Sequence, residues 1–79
     1  MEGDTRLRKR SVLVAGHKTS VSLEPAFWDE LRAIAAARGL SMNALIAEID
    51  ATRQGNLSSA LRLHVLDWLR RRAAGGAPN

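Results

Sequence analysis

Between Thr19 and Leu23 small polar and apolar residues alternate, the two-residue period of a strand with one buried face. Pro25 ends the alternation and suits the first position of a helix, where a missing N–H leaves no bond unmade. From Pro25 to Arg38 the spacing becomes helical: Phe27, Leu31, Ile34 and Ala35 form a stripe with Trp28 on its flank. Those apolar neighbours assign Trp28 to the core in preference to base stacking. Asp29 and Glu30 stand in the first turns and Arg38 in the last, as the helix dipole favours, and Gly39 closes the helix. Ser41 caps a second helix that runs to Ala51 or Thr52, with Ala44, Leu45, Ile46 and Ile49 on its buried side. Arg53-Gln54-Gly55 breaks the pattern, and Asn56-Leu57-Ser58-Ser59 caps a third helix that reaches Arg72. Leu57, Leu61, Val65, Trp68 and Leu69 make one stripe there, widened by Leu63 and Leu66. A helix apolar over so much of its circumference is expected to be buried on more than one side, which points to an intersubunit core.

The flanks carry weaker signals. Residues 1–9 are polar and charged and read as a flexible basic arm, residues 10–72 as the folded domain, and the glycine-rich residues 73–79 as a disordered tail. Ser11 to Ala15 is a short apolar run that reads either as a further strand or as an arm beside the ribbon. The segment from Thr19 to Leu23 is thus the one strand of clear quality. Its N–H and C=O groups need a partner, and the economical one is the same strand of a second copy. The expected architecture is mostly α with one short β-ribbon strand, in an obligate homodimer.

Composition supports an association of copies. Seventy-nine residues make one small domain, which buries a limited share of its surface alone. The absence of cysteine removes disulfides and thiolate metal sites. His17 and His64 lie far apart without ligand spacing, so no metal and no cofactor are expected. Net charge is +4 and uneven. Arg6, Arg8, Lys9, Arg10 and Lys18 outnumber Glu2 and Asp4 at one end, and Arg70, Arg71 and Arg72 cluster at the other. Basic ends around an acidic middle form an electrostatic footprint for a polyanion. No apolar run approaches the ~20 residues of a membrane span, and Val12-Leu13-Val14-Ala15 is too short for a signal-peptide core. The expectation is a soluble cytoplasmic protein with no membrane contact. No paired carboxylates, histidine motif or glycine-rich phosphate loop points to an enzyme.

Strand, Glu24-Pro25, helix, Gly39-Leu40-Ser41, helix: this order and spacing resemble the ribbon–helix–helix family of MetJ/Arc type, over roughly Lys18 to Asp50. A wider pattern is similar to a group of short bacterial proteins containing this domain. It runs from Arg10-Ser11-Val12 through Gly16-His17-Lys18 and Phe27-Trp28 to Asn56-Leu57-Ser58-Ser59-Ala60-Leu61-Arg62. The resemblance implies a ribbon–helix–helix homodimer with an additional C-terminal helix, whose antiparallel ribbon enters the major groove of double-stranded DNA. By position, Thr19, Val21 and Leu23 would face the helices, and Lys18, Ser20 and Ser22 the base edges. Val21, Leu23, Phe27, Leu31, Ile34, Leu45 and Ile49 would make the dimer core. Backbone N–H groups around Ser41, Met42 and Asn43 would hold a phosphate, and Arg8, Lys9 and Arg10 would contact others. Two departures stand out: Ser20 and Ser22 are short for base readers, and the helix from Leu57 to Arg72 exceeds the minimal fold.

The leading reading is a homodimeric DNA-binding protein, a small transcriptional regulator. The alternative is an antitoxin-type or adaptor dimerisation module whose third helix grips a partner protein. The wide apolar surface of that helix favours the alternative; the lack of acidic residues at Lys18, Ser20 and Ser22 favours DNA.

Overall fold

The computed structural model describes residues 6–75. The elements are β1 (Arg8–Val14), β2 (His17–Leu23), α1 (Pro25–Arg38), α2 (Met42–Thr52) and α3 (Leu57–Gly75). Residues 1–5 of the expected arm and 76–79 of the expected tail lie outside the described residues.

The apolar run after Arg10 is a strand, and it pairs with β2 inside the same chain. The antiparallel register sets Arg8 opposite Leu23, Arg10 opposite Val21, Val12 opposite Thr19 and Val14 opposite His17. Ala15 and Gly16 make the two-residue connection at φ 52° and 83°. Two successive positive φ values define the tight turn whose twist matches the flanking strands. Folding back this way buries Val12 and Val14 on the same face as Val21 and Leu23. This corrects the sequence reading: the strand before α1 does have an intramolecular partner, so an unpaired strand no longer requires a second copy. It also moves the arm's boundary, because Arg8 and Lys9 belong to β1.

The helix boundaries follow from local chemistry. Pro25 opens α1, and the Phe27 and Trp28 amides donate to the Glu24 carbonyl. Gly39, at φ 68°, closes it; its N–H donates to the Ala36 carbonyl and that of Leu40 to Ala35 (2.8 Å). The Ser41 hydroxyl accepts from the Ala44 amide at 3.0 Å, and the Asn56 side chain accepts from the Ser59 amide at 2.8 Å. The helix after Leu57 continues to Gly75, three residues past the expected end, because Ala73 and Ala74 are good helix formers. Ala44 is exposed, so it is not part of the buried side of α2.

Buried side chains from five elements meet in one core: Val12, Val14, Val21, Leu23, Trp28, Leu31, Ile34, Ala35, Leu45, Ile46, Ile49, Leu61 and Val65. Phe27 is half-buried at its edge, with the Arg62 guanidinium 5.8 Å from the ring centroid. Most of the residues expected in a dimer core are therefore buried within a single chain. Two ion pairs clamp the helices. Arg38 at the end of α1 donates to both oxygens of Glu48 on α2 (2.7 and 3.0 Å), which holds that carboxyl below the usual carboxylate range. Arg62 on α3 reaches Glu24 (2.9 Å), whose carboxyl is held low by its own backbone N–H and by that guanidinium.

Within a single chain one side of α3 stays open. Leu61 and Val65 are buried and Leu57 and Trp68 half-buried, but Leu63, Leu66 and Leu69 are 65%, 42% and 42% exposed. Within one chain α3 packs on one side only, since α1 and α2 lie on that side and nothing among the described residues covers the other.

This packing can be tested by truncation. Leu31→Ala or Ile34→Ala, each at a fully buried position, should cost about 2–5 kcal/mol in chemical denaturation, whereas Ala33→Ser on the exposed face of α1 should cost little. Equal losses from all three would contradict the assigned helix face. At the turn, a non-glycine residue in the left-handed region carries roughly 1 kcal/mol of strain. Ala15→Asn, a residue that tolerates this region, should raise the melting midpoint; a lowered midpoint would count against the turn geometry.

Candidate nucleic-acid interface

Pairing within the chain creates a two-stranded ribbon with two unlike faces. Residues directly opposite share a face, so Lys9 with Ser22, Ser11 with Ser20, and Leu13 with Lys18 form the side away from the core. All are exposed except Ser22, which is half-buried. Lys18, Ser20 and Ser22 thus stand on the outer face, and Thr19, Val21 and Leu23 on the inner one. Two lysines and no acid occupy the outer face.

The backbone of the ribbon is tied at both edges. In a two-residue hairpin the pair flanking the turn is hydrogen-bonded, so alternate residues direct their N–H and C=O outward. Leu13 and Ser22 are among these. The Leu13 N–H donates to the Asn43 Oδ1 on α2 (3.3 Å), and the Ser58 hydroxyl on α3 donates to the Ser22 carbonyl (3.3 Å). A third tie comes from α1, where Trp28 Nε1 donates to the Arg8 carbonyl (3.0 Å). The ribbon's orientation on the helices is therefore set by three hydrogen bonds as well as by its buried valines.

The remaining basic residues divide. Lys9 joins Lys18 on the outer face, whereas Arg8 and Arg10 fall on the inner face, at its open end. The Arg10 guanidinium lies 5.5 Å from the Trp28 ring centroid, within cation–π range. Arg10 also lines a cavity of about 370 Å³ with Ser11, Val12, Arg32, Met42 and Asn43. This cavity sits where β1 meets the start of α2, so two arginines and the first residues of a helix, its positive end, line one space. Ser41 caps the helix just before these residues: its hydroxyl accepts from the Ala44 amide, and the amides of Met42 and Asn43 in the first turn have no helical partners. Arg32, which also pairs with Asp29, reaches the cavity across the fold. Ser11, Leu13 and Arg32 were not among the sequence candidates. Ser11 and Leu13 were findable, since alternation continues through them to a turn containing glycine; Arg32 was not, because only packing brings it beside residue 10.

Among the described residues no group of His, Asp or Glu is arranged to hold a metal ion, and no helix is long and apolar enough to cross a membrane. His17 is exposed beside the turn, opposite Val14.

The same arrangement is found in known proteins. The ribbon-helix-helix domain profile matches residues 7–69, from the residue before β1 into the last turns of α3. Among solved structures, an uncharacterized protein from Bordetella pertussis Tohama I superposes with a TM-score of 0.79 at 32% identity. The match covers 94% of this chain and 64% of that one, so the chain spans less than two thirds of its relative. No curated protein matches. The ribbon, the helix order, the Gly39-Leu40-Ser41 turn and the extent of the profile agree: the chain belongs to the ribbon-helix-helix domain family.

Proposed function

We propose that the protein is a homodimeric DNA-binding protein, a small transcriptional regulator, that lays the outer face of its ribbon in the major groove of double-stranded DNA. The observation that carries this reading is the outer face itself: Lys9, Ser11, Leu13, Lys18, Ser20 and Ser22 on two strands. A two-stranded ribbon fits a groove about 12 Å wide. Its hydroxyls accept or donate to base edges, and Leu13 offers the kind of apolar contact a thymine methyl receives. Arg10, Arg32 and the first amides of α2 flank the ribbon and would take phosphates, which fix register and orientation without reading sequence. Membership of the ribbon-helix-helix domain family supports the same class of function. An adaptor using α3 to grip another protein would explain the exposed leucines, but it leaves the lysine-bearing ribbon face without a role.

Affinity for duplex DNA should fall by orders of magnitude between about 50 and 200 mM salt, as phosphate contacts are lost to counterions. Lys18→Ala should weaken binding with the melting midpoint nearly unchanged, because Lys18 is exposed. Binding by fluorescence anisotropy that ignored salt would speak against a phosphate-dominated interface.

Reading and positioning should separate by mutation. Ser20→Ala should discriminate against a selected site by about 1 kcal/mol relative to scrambled DNA, the low end for a base contact. Met42→Pro removes the first amide of α2 at a position where proline is accepted, since Ser41 is already extended at φ −76° and ψ 162°. It should weaken both DNAs equally, beyond any loss shown by Met42→Ala. In a competition assay, equal loss from Ser20→Ala on both DNAs would make the ribbon a general backbone binder.

A further inference from the structure

Trp28 is the largest side chain of the core and is 1% exposed, yet two of its contacts are not apolar packing. Its Nε1–H donates to the Arg8 carbonyl (3.0 Å), and the Arg10 guanidinium lies 5.5 Å from its ring centroid. A buried indole N–H needs an acceptor, and this one finds it on the strand. One side chain of α1 therefore holds β1 twice: at the backbone through its N–H edge, and at the side chain two residues on through its ring. Arg8 and Arg10 lie on the same strand face because side chains alternate, so a single ring can serve both.

We propose that Trp28 is a positioning residue for DNA binding: it holds the Arg10 guanidinium beside the start of α2, ready for a phosphate. The proposal rests on the DNA reading above and adds to it a residue that touches no DNA itself. Arg10 is exposed, and a free arginine side chain loses much rotamer freedom when it binds. Resting on a ring face, it has lost part of that freedom before the phosphate arrives. The kind of holder matters. A carboxylate orders an arginine but offsets its charge, as Asp29 does for Arg32 on the same cavity. An aromatic ring covers only the face of a guanidinium, so the charge and the N–H donors at its edge stay available. Among the described residues no acid lines that cavity.

The simpler account is that Trp28 only fills the core. Filling explains its burial and the stability that any truncation there would remove. It gives no role to the ring face under Arg10, and it leaves residue 10 as a mere positive charge. Lysine at that position keeps the charge but lacks the plane that stacks. Arg10→Lys therefore separates the two accounts at an exposed position, without disturbing the core.

The test is duplex binding by fluorescence anisotropy across a salt series, joined to proton shifts of the free protein. Arg10→Ala should weaken binding by roughly 10-fold at low salt and lower the salt slope by about 1 for each chain. Arg10→Lys should recover only part of that loss. Trp28→Leu, checked for folding by its melting curve, should approach Arg10→Ala. The double variant should lose little more than either alone, whereas a tryptophan that only fills the core would make the losses add. Trp28→Phe keeps a ring face and should lose less than Trp28→Leu. Without DNA, the Arg10 side-chain protons should resonate upfield, under the ring current of Trp28. Full binding by Arg10→Lys, additive losses in the double variant, or unshifted Arg10 protons would overturn the proposal. If Trp28→Leu did not fold, Arg10→Lys and the proton shifts would decide. Failure of the DNA reading looks different: wild-type protein binds no duplex while the Arg10 shifts are present.

Discussion

The pairing of Arg8–Val14 with His17–Leu23 is the constraint on which the remaining structure depends. It sets Val12 and Val14 beside Val21 and Leu23, which gives the helices an apolar floor to pack on. It also fixes which side chains look outward, because the side-chain period of a strand is two and a slip of one residue would exchange the faces. The helices hold that register in return. Trp28 on α1, Asn43 on α2 and Ser58 on α3 each bond a backbone group of the ribbon. Each tie is worth on the order of 1 kcal/mol, a modest amount, yet the three come from three helices and oppose sliding in any direction.

That organisation explains how much could be read from the residues alone. The α1 boundaries were legible because Pro25 and Gly39 act locally, and the α2 cap because Ser41 bonds an amide only three residues on. The alternation from Thr19 to Leu23 was legible because it too is local, and Val21 and Leu23 are buried on one face of β2. β1 was ambiguous. Its turn uses Ala15 in a left-handed conformation where asparagine or aspartate would have announced a hairpin. The dimer argument built on a lone strand failed with that ambiguity. The width of the apolar surface on α3 was seen, but a sequence shows only that the surface is apolar. Which part meets the helices and which part meets solvent is decided by packing, and the packing covers Leu61 and Val65 while leaving Leu63 and Leu66. Likewise nothing in the spacing of Arg10 and Arg32 says that they line one cavity.

The proposed function divides the labour among these parts. The outer ribbon face carries the groups able to distinguish bases, and its short serines favour tolerance over stringent readout. In that reading the basic cavity at the start of α2 would supply backbone contacts, placing affinity and specificity on different elements.

The central claim is that DNA meets the outer face of an intrachain ribbon. A backbone amide map of the protein titrated with duplex DNA at low salt tests it most directly. The account predicts that the largest shifts fall on Lys9, Ser11, Leu13, Lys18, Ser20 and Ser22 and on the first residues of α2, with α3 beyond Leu61 little changed. Shifts concentrated on α3, with the ribbon unmoved at saturation, would contradict it.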